Sequence, residues 1–193
     1  MIYFPIMHTQ ADMGVLKDAV NRVTLEKLGR AGFSRKLASI EQLWNEIEGS
    51  IEALDLCFDR VRLYQDGLAI CGREAEIVAE LARKGSRNHQ LLAQLMARGA
   101  TLMGTESGDL LRQEYRLAQQ TMTARQPRSA GVAARRRALG EALLEQRDRF
   151  MARQINDTLK AGETGILFLG MLHSLERYLP PDVKVIYPLK GWH

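Results

Sequence analysis

The 193-residue sequence is poor in cysteine, in long hydrophobic runs and in nucleotide-binding glycine motifs. Its two cysteines, Cys57 and Cys71, stand in no CxxC or metal-spaced pattern. They read as reduced thiols of a cytoplasmic protein, packing as small hydrophobes. The longest apolar run, Ile166 to Leu172, is interrupted by Gly170 and falls far short of the roughly 20 residues a membrane span needs. Met1 to Met7 is apolar but too short for a signal-peptide core and has no basic leader. A soluble cytoplasmic chain without membrane association is expected. Gly67 and Gly104 allow tight turns near a ligand, yet neither belongs to a GxGxxG or P-loop motif, so nucleotide binding through those motifs is unsupported.

What is present is ordinary for a globular protein: 46% apolar residues, 26% charged residues and a net charge of +4. The length suits a single domain over 1–193 with a sizeable core. Much of the positive charge falls in one stretch, Arg125, Arg128, Arg135, Arg136 and Arg137, around the break at Gln126-Pro127 and Ser129-Ala130-Gly131. No aromatic residue interleaves with these arginines and no nucleic-acid module is evident, so the stretch reads as a solvated loop entering a helix rather than a nucleic-acid interface.

Five apolar segments read as strands: Ile2–Met7, Arg60–Gln65, Ala100–Met103, Ile166–Leu169 and Val183–Tyr187. Several are near-continuous apolar runs, the pattern of strands covered on both faces. Helical periodicity occupies about 12–29, 35–56, 73–84, 88–98, 106–120 and 133–161. Strands alternating with helices predict an α/β fold, a mainly parallel sheet of about five strands flanked by helices. Ser86 and Asn88 are candidate caps for the helix beginning near His89, and Pro180-Pro181 stops any helix through 174–179.

Ligands of open α/β sheets bind outside the carboxyl ends of the strands. Those ends carry His8, Thr9 and Asp12; Gln65, Asp66 and Gly67; Gly104, Thr105, Glu106 and Ser107; and Gly170, His173 and Ser174. His8 and His173 come from opposite ends of the chain, and parallel strands would bring them to one edge. Two imidazoles with a carboxylate could hold a divalent metal such as Mn, Zn or Co, leaving a position open for water; His8, Glu106 and His173 form that candidate set. Without a metal, a histidine and an acid at one rim serve as base and acid, with Asp66 available beside them. Tyr64 and Tyr187 stand at strand ends, where they line a pocket or fill the rim. His89 and His193 look peripheral.

The long helix adds Arg147. With Leu144 at the centre of the apolar face, Met151, Ile155 and Leu159 share it, and Arg147 and Asp148 fall inside the stripe. Charge on a packed face needs a partner or a pocket: either an ion pair centred on Arg147 and Asp148, or Arg147 reaching the cleft to bind an anion. Trp44, among Ile40, Leu43 and Ile47, reads as core or as an oligomer contact.

The segment Arg147-Asp148-Arg149-Phe150-Met151-Ala152, followed by Gly165-Ile166-Leu167-Phe168-Leu169-Gly170-Met171-Leu172-His173, resembles the closing motif of the superfamily of TraB, Tiki, ChaN and erythromycin-esterase-like proteins. In that motif an arginine-bearing helix with a Met-Ala pair precedes a strand ending in GxxH. The family's first GxxH segment is matched by Pro5-Ile6-Met7-His8, which keeps the histidine but not the glycine. Its acidic position falls around Tyr64-Gln65-Asp66, and Asp66 or Glu106 takes its place. The resemblance implies an α/β fold with a rim site on His8 and His173. It implies divalent-metal-dependent peptidase chemistry for Tiki-like members, metal-independent hydrolysis for esterase-like members and haem binding for ChaN-like members. A hydrolase of a small molecule or peptide is the leading expectation, with His8, His173, Asp66 and Arg147 as catalytic candidates. A non-catalytic binder of haem or an anionic metabolite, and a regulatory or assembly module, stay open. The short chain also allows a homo-oligomer in which a partner subunit supplies a lid.

Overall fold

The computed structural model describes residues 1–7, 17–123 and 129–189; His8, Asp12, Arg125, Arg128 and His193 lie outside these segments. In chain order the elements are β1 (Ile2–Ile6), α1 (Lys17–Glu52), β2 (Val61–Gln65), α2 (Glu74–Arg83), α3 (Arg87–Ala97), β3 (Thr101–Met103), α4 (Gly108–Thr123), α5 (Ala130–Thr158) and β4 (Thr164–Gly170). The four strands form one sheet in the order β1-β4-β2-β3, and every pairing is parallel. The α/β class with a parallel sheet flanked by helices agrees with the sequence reading.

The near-continuous apolar runs of β1, β2 and β4 have the expected cause, because these strands are covered on both faces, whereas the edge strand β3 is partly exposed. Phe4, Leu63 and Phe168 point to a layer that includes Trp44, Ile47, Leu92 and Leu95 of α1 and α3, all buried. The Phe4 and Phe168 rings stack at 5.7 Å. The alternate residues Tyr64, Leu167 and Leu169 point to the other layer, where Met151, Ala152 and Ile155 of α5 cover them. Fully burying a side chain of this size stabilises the fold by about 1.5–3 kcal/mol. Trp44 is therefore core. Tyr64, expected at the rim, is buried under α5, and its hydroxyl meets Thr158 Oγ1 at 2.9 Å.

The fifth strand does not form. Val183–Tyr187 touches the sheet through one parallel bridge, Ile186 to Ile2, with Ile186 N–H donating to Met1 O and Tyr3 N–H donating to Ile186 O, both at 2.9 Å. The next step of a parallel ladder would need an N–H from Pro188 to Tyr3 and one from Pro5 to Pro188. Both residues are prolines and lack the donor, so pairing stops after one residue.

Other differences are local. α1 is assigned through both expected helices, but Gly29 sits at φ 65°, ψ 174°, so two helical segments meet there at a kink. The cysteines are exposed instead of packed: Cys57 Sγ meets Asp59 Oδ1 at 2.8 Å, and Cys71 lies in a turn whose N–H Glu74 accepts. No helix among the described residues is long and apolar enough to cross a membrane.

Candidate active site

Three strand ends and one helix build the rim. Asp66 follows β2 directly, and the 66–70 loop is zipped to the loop after β3. Thr105 N–H and Glu106 N–H both donate to Leu68 O, and Ile70 N–H donates to Glu106 O. This bridge fixes Glu106 under the rim, where it is wholly buried. β4 delivers Gly170 and then His173, whose N–H turns back to Gly170 O at 3.1 Å. α5 crosses beneath with its apolar residues Met151 and Ile155 on the sheet, which places Arg147 and Asp148 one turn earlier at the strand ends.

Arg147 is the hub. Its Nε donates to Glu106 Oε2 at 3.0 Å, its Nη2 to Asp66 Oδ1 at 2.7 Å and also to Glu106 Oε1, and its Nη1 to Glu114 Oε1 of α4 at 2.6 Å. Only 4% of the Arg147 side chain is exposed, against 46% of Glu114. Burial pulls the guanidinium pKa down, but the carboxylates of Glu106, Asp66 and Glu114 more than offset it and hold it above the ordinary value. Burial likewise holds the Glu106 carboxyl above its ordinary value, against the opposing pull of Arg147.

His173 belongs to a second couple. Its Nδ1 lies 2.5 Å from Asp148 Oδ1, and the other oxygen of Asp148 accepts the Ser174 N–H at 2.9 Å. Its Nε2 lies 3.5 Å from Asp66 Oδ2, the oxygen that also accepts the Gly170 N–H at 3.0 Å. The imidazole is thus bracketed by two carboxylates, each oriented by a second bond. Gly170 is required for this approach, since a Cβ there would stand 2.7 Å from Asp66 Oδ2. That gives the glycine of Gly170-Met171-Leu172-His173 a steric reason.

The rim opens onto a cavity of about 590 Å³. Its apolar wall includes Ile6, Ile40, Leu111 and Leu144, and its polar edge includes Asp66, Glu114, Arg147, His173 and Lys36. Cavities of this size suit small molecules.

Of the sequence candidates, Asp66, Glu106, Arg147 and His173 converge; His8 lies outside the described residues. Arg147 is bound to Glu106, Asp66 and Glu114, while its neighbour Asp148 holds His173. As a metal ligand Glu106 fits poorly, because Arg147 takes both its oxygens and an ion there would first have to displace a cation. Among the described residues no three His, Cys, Asp or Glu side chains are grouped to hold a metal. His89 is not peripheral: it is buried, with Nδ1 2.7 Å from the hydroxyl of Ser86, which caps α3 by accepting the His89 N–H. Sequence reasoning missed Glu114, Lys36 and the role of Asp148. Asp148 alone carried a signal, a charge inside a buried stripe.

Comparison with family models, with curated proteins and with solved structures finds no match to this chain, so the site rests on its own geometry.

Proposed function

We propose that the protein hydrolyses an ester or amide bond in a small molecule or peptide, with His173 as general base and Asp148 as the residue that positions it. One observation carries this reading: an Asp148–His173 couple opens onto a largely apolar cavity of about 590 Å³. With Nδ1–H donating to Asp148, Nε2, 3.5 Å from Asp66 Oδ2, is the ring nitrogen left to accept a proton. A water in the cavity gives its proton to Nε2 as its oxygen bonds to the acyl carbon. The proton then passes from Nε2 to the leaving oxygen or nitrogen as the acyl bond breaks. Asp148 stabilises the imidazolium formed in between, and Asp66, held by Arg147 and the Gly170 N–H, lies beside the ring edge that carries the proton.

The test is hydrolysis of a panel of nitrophenyl esters and nitroanilides by the wild-type protein and by His173→Gln and Asp148→Asn. His173→Gln should lower kcat/KM by about 10²–10⁴-fold, the usual worth of a positioned general base. Asp148→Asn should lower kcat and alter its pH profile, which a merely structural role would not do. Turnover within about threefold of wild type in His173→Gln would remove the proposal. Parallel assays with chelator and with added Mn, Zn or Co show whether a divalent ion contributes.

A further inference from the structure

Arg147 has five N–H donors, and the way they are spent is uneven. Three go to Glu106 and Asp66, carboxylates that are themselves buried and bound on every side. The Nη1 group is engaged by Glu114 of the neighbouring helix, which is nearly half exposed and lines the cavity together with Arg147. The second Nη1 hydrogen has no acceptor among the described residues. Glu114 is the only one of the three carboxylates that can leave without stranding a buried charge, because it can turn into solvent.

Lys36, on α1, is an exposed cation that also lines this cavity, and no ion pair or hydrogen bond engages it among the described residues. The remaining carboxylates of the rim are committed, Asp66 and Glu106 to Arg147 and Asp148 to His173. Among the described residues, the uncommitted charge at the cavity surface is therefore positive, beside a wall of Ile6, Ile40, Leu111 and Leu144.

We propose that Glu114 is a displaceable internal plug, holding the position on Arg147 Nη1 that the carboxylate of an apolar-bodied anionic ligand takes, with Lys36 as the second cation. This names the substrate class of the cavity and rests on reading it as the reaction site. On binding, the ligand carboxylate replaces that of Glu114 as the charged acceptor at Nη1, and its chain lies on the apolar wall. The charge on Arg147 stays compensated throughout, so the exchange does not uncover a buried ion.

Isothermal titration calorimetry of the full chain with sodium octanoate, 1-octanol and octylammonium chloride tests this. Octanoate should bind, and about tenfold or more tightly than 1-octanol. Glu114→Gln removes the competing charge and should tighten octanoate about fivefold while leaving 1-octanol unchanged. Lys36→Met should weaken octanoate about fivefold. Circular dichroism checks that each variant is folded, and the wild-type selectivity needs no variant. Absence of octanoate binding, equal binding of 1-octanol, preference for octylammonium, or a Glu114→Gln variant that binds octanoate no better would overturn the proposal. Repeating the titration on His173→Gln separates the two readings. Octanoate selectivity kept in a protein without His173-dependent turnover removes hydrolysis alone, and turnover without selectivity removes the anion site alone.

Discussion

Arg147→Met is the perturbation that probes the rim most directly. Methionine approximates the aliphatic stem but gives up the bonds to Glu106 at 3.0 Å, Asp66 at 2.7 Å and Glu114 at 2.6 Å. Glu114 rehydrates at little cost. Asp66 and Glu106 cannot, since 6% and 0% of their side chains are exposed. Leaving a buried carboxylate without its cation costs about 3–5 kcal/mol. With a urea dependence of about 2 kcal/mol/M, the midpoint at pH 7.5 should fall by about 2 M. Arg147→Met/Glu106→Gln should recover at least about 1 kcal/mol, because an amide replaces the stranded charge. The pH response has a definite sign. Glu106 already lies above its ordinary value of 4.5, and loss of Arg147 raises it further. A carboxyl whose folded-state pKa is raised contributes stability below its unfolded pKa and loses it as pH rises through the folded value. The defect should therefore be smaller near pH 4.5 than at pH 7.5. A midpoint within about 0.3 M of wild type at pH 7.5, or a double variant no better than the single one, would refute the description of Arg147 as the charge holding this rim together.

Gly170→Ala should cost about 1–3 kcal/mol by thermal or urea unfolding and lower turnover with it, because its methyl group meets the Asp66 carboxylate; an unchanged midpoint would dismiss the steric reason for this glycine. Glu163, paired with Arg62 through Nη2 at 2.9 Å and through Nε, has its carboxyl drawn down to about 2 by that pairing. Its stabilisation is fully present above the unfolded pKa of 4.5 and is lost as pH falls towards 2, so Glu163→Gln should flatten the acid limb of stability in that window. Phe168→Ala, at the centre of the sheet and stacked on Phe4, should cost about 3–5 kcal/mol by urea unfolding.

The sheet and much of the rim were legible in the sequence for a common reason. Strand ends are where apolar runs give way to Asp66, Glu106 and His173, and helix phase put Arg147 and Asp148 on a buried face. Partner choice was not legible. Phase tells which way a side chain points but not what meets it across a tertiary contact, so Asp148 could not be seen to hold His173 instead of Arg147. Glu114 gave no signal, being one polar residue on a helix whose packing depends on α5. The fifth strand failed on a detail that hydropathy ignores, the missing donors of Pro5 and Pro188. His89 looked solvent-facing because Ser86, Arg87 and Asn88 around it are polar, yet Ser86 caps the helix and satisfies the ring.

The strand order also dictates how the chain can assemble. β1 pairs with β4, Ile2 opposite Ile166, and β4 then joins β2. A nascent chain that has emerged only through α5 can pair β2 with β3 but holds no sheet partner for β1. The β1–β4 pairing spans more than 160 residues, a non-local contact of the kind that slows folding. In a growing chain, β1 can therefore join the sheet only after β4 has been made. The segment that joins β1 to β2, residues 164–170, leads directly into His173, so the strand that completes the sheet is also the one that brings this histidine to the mouth of the cavity.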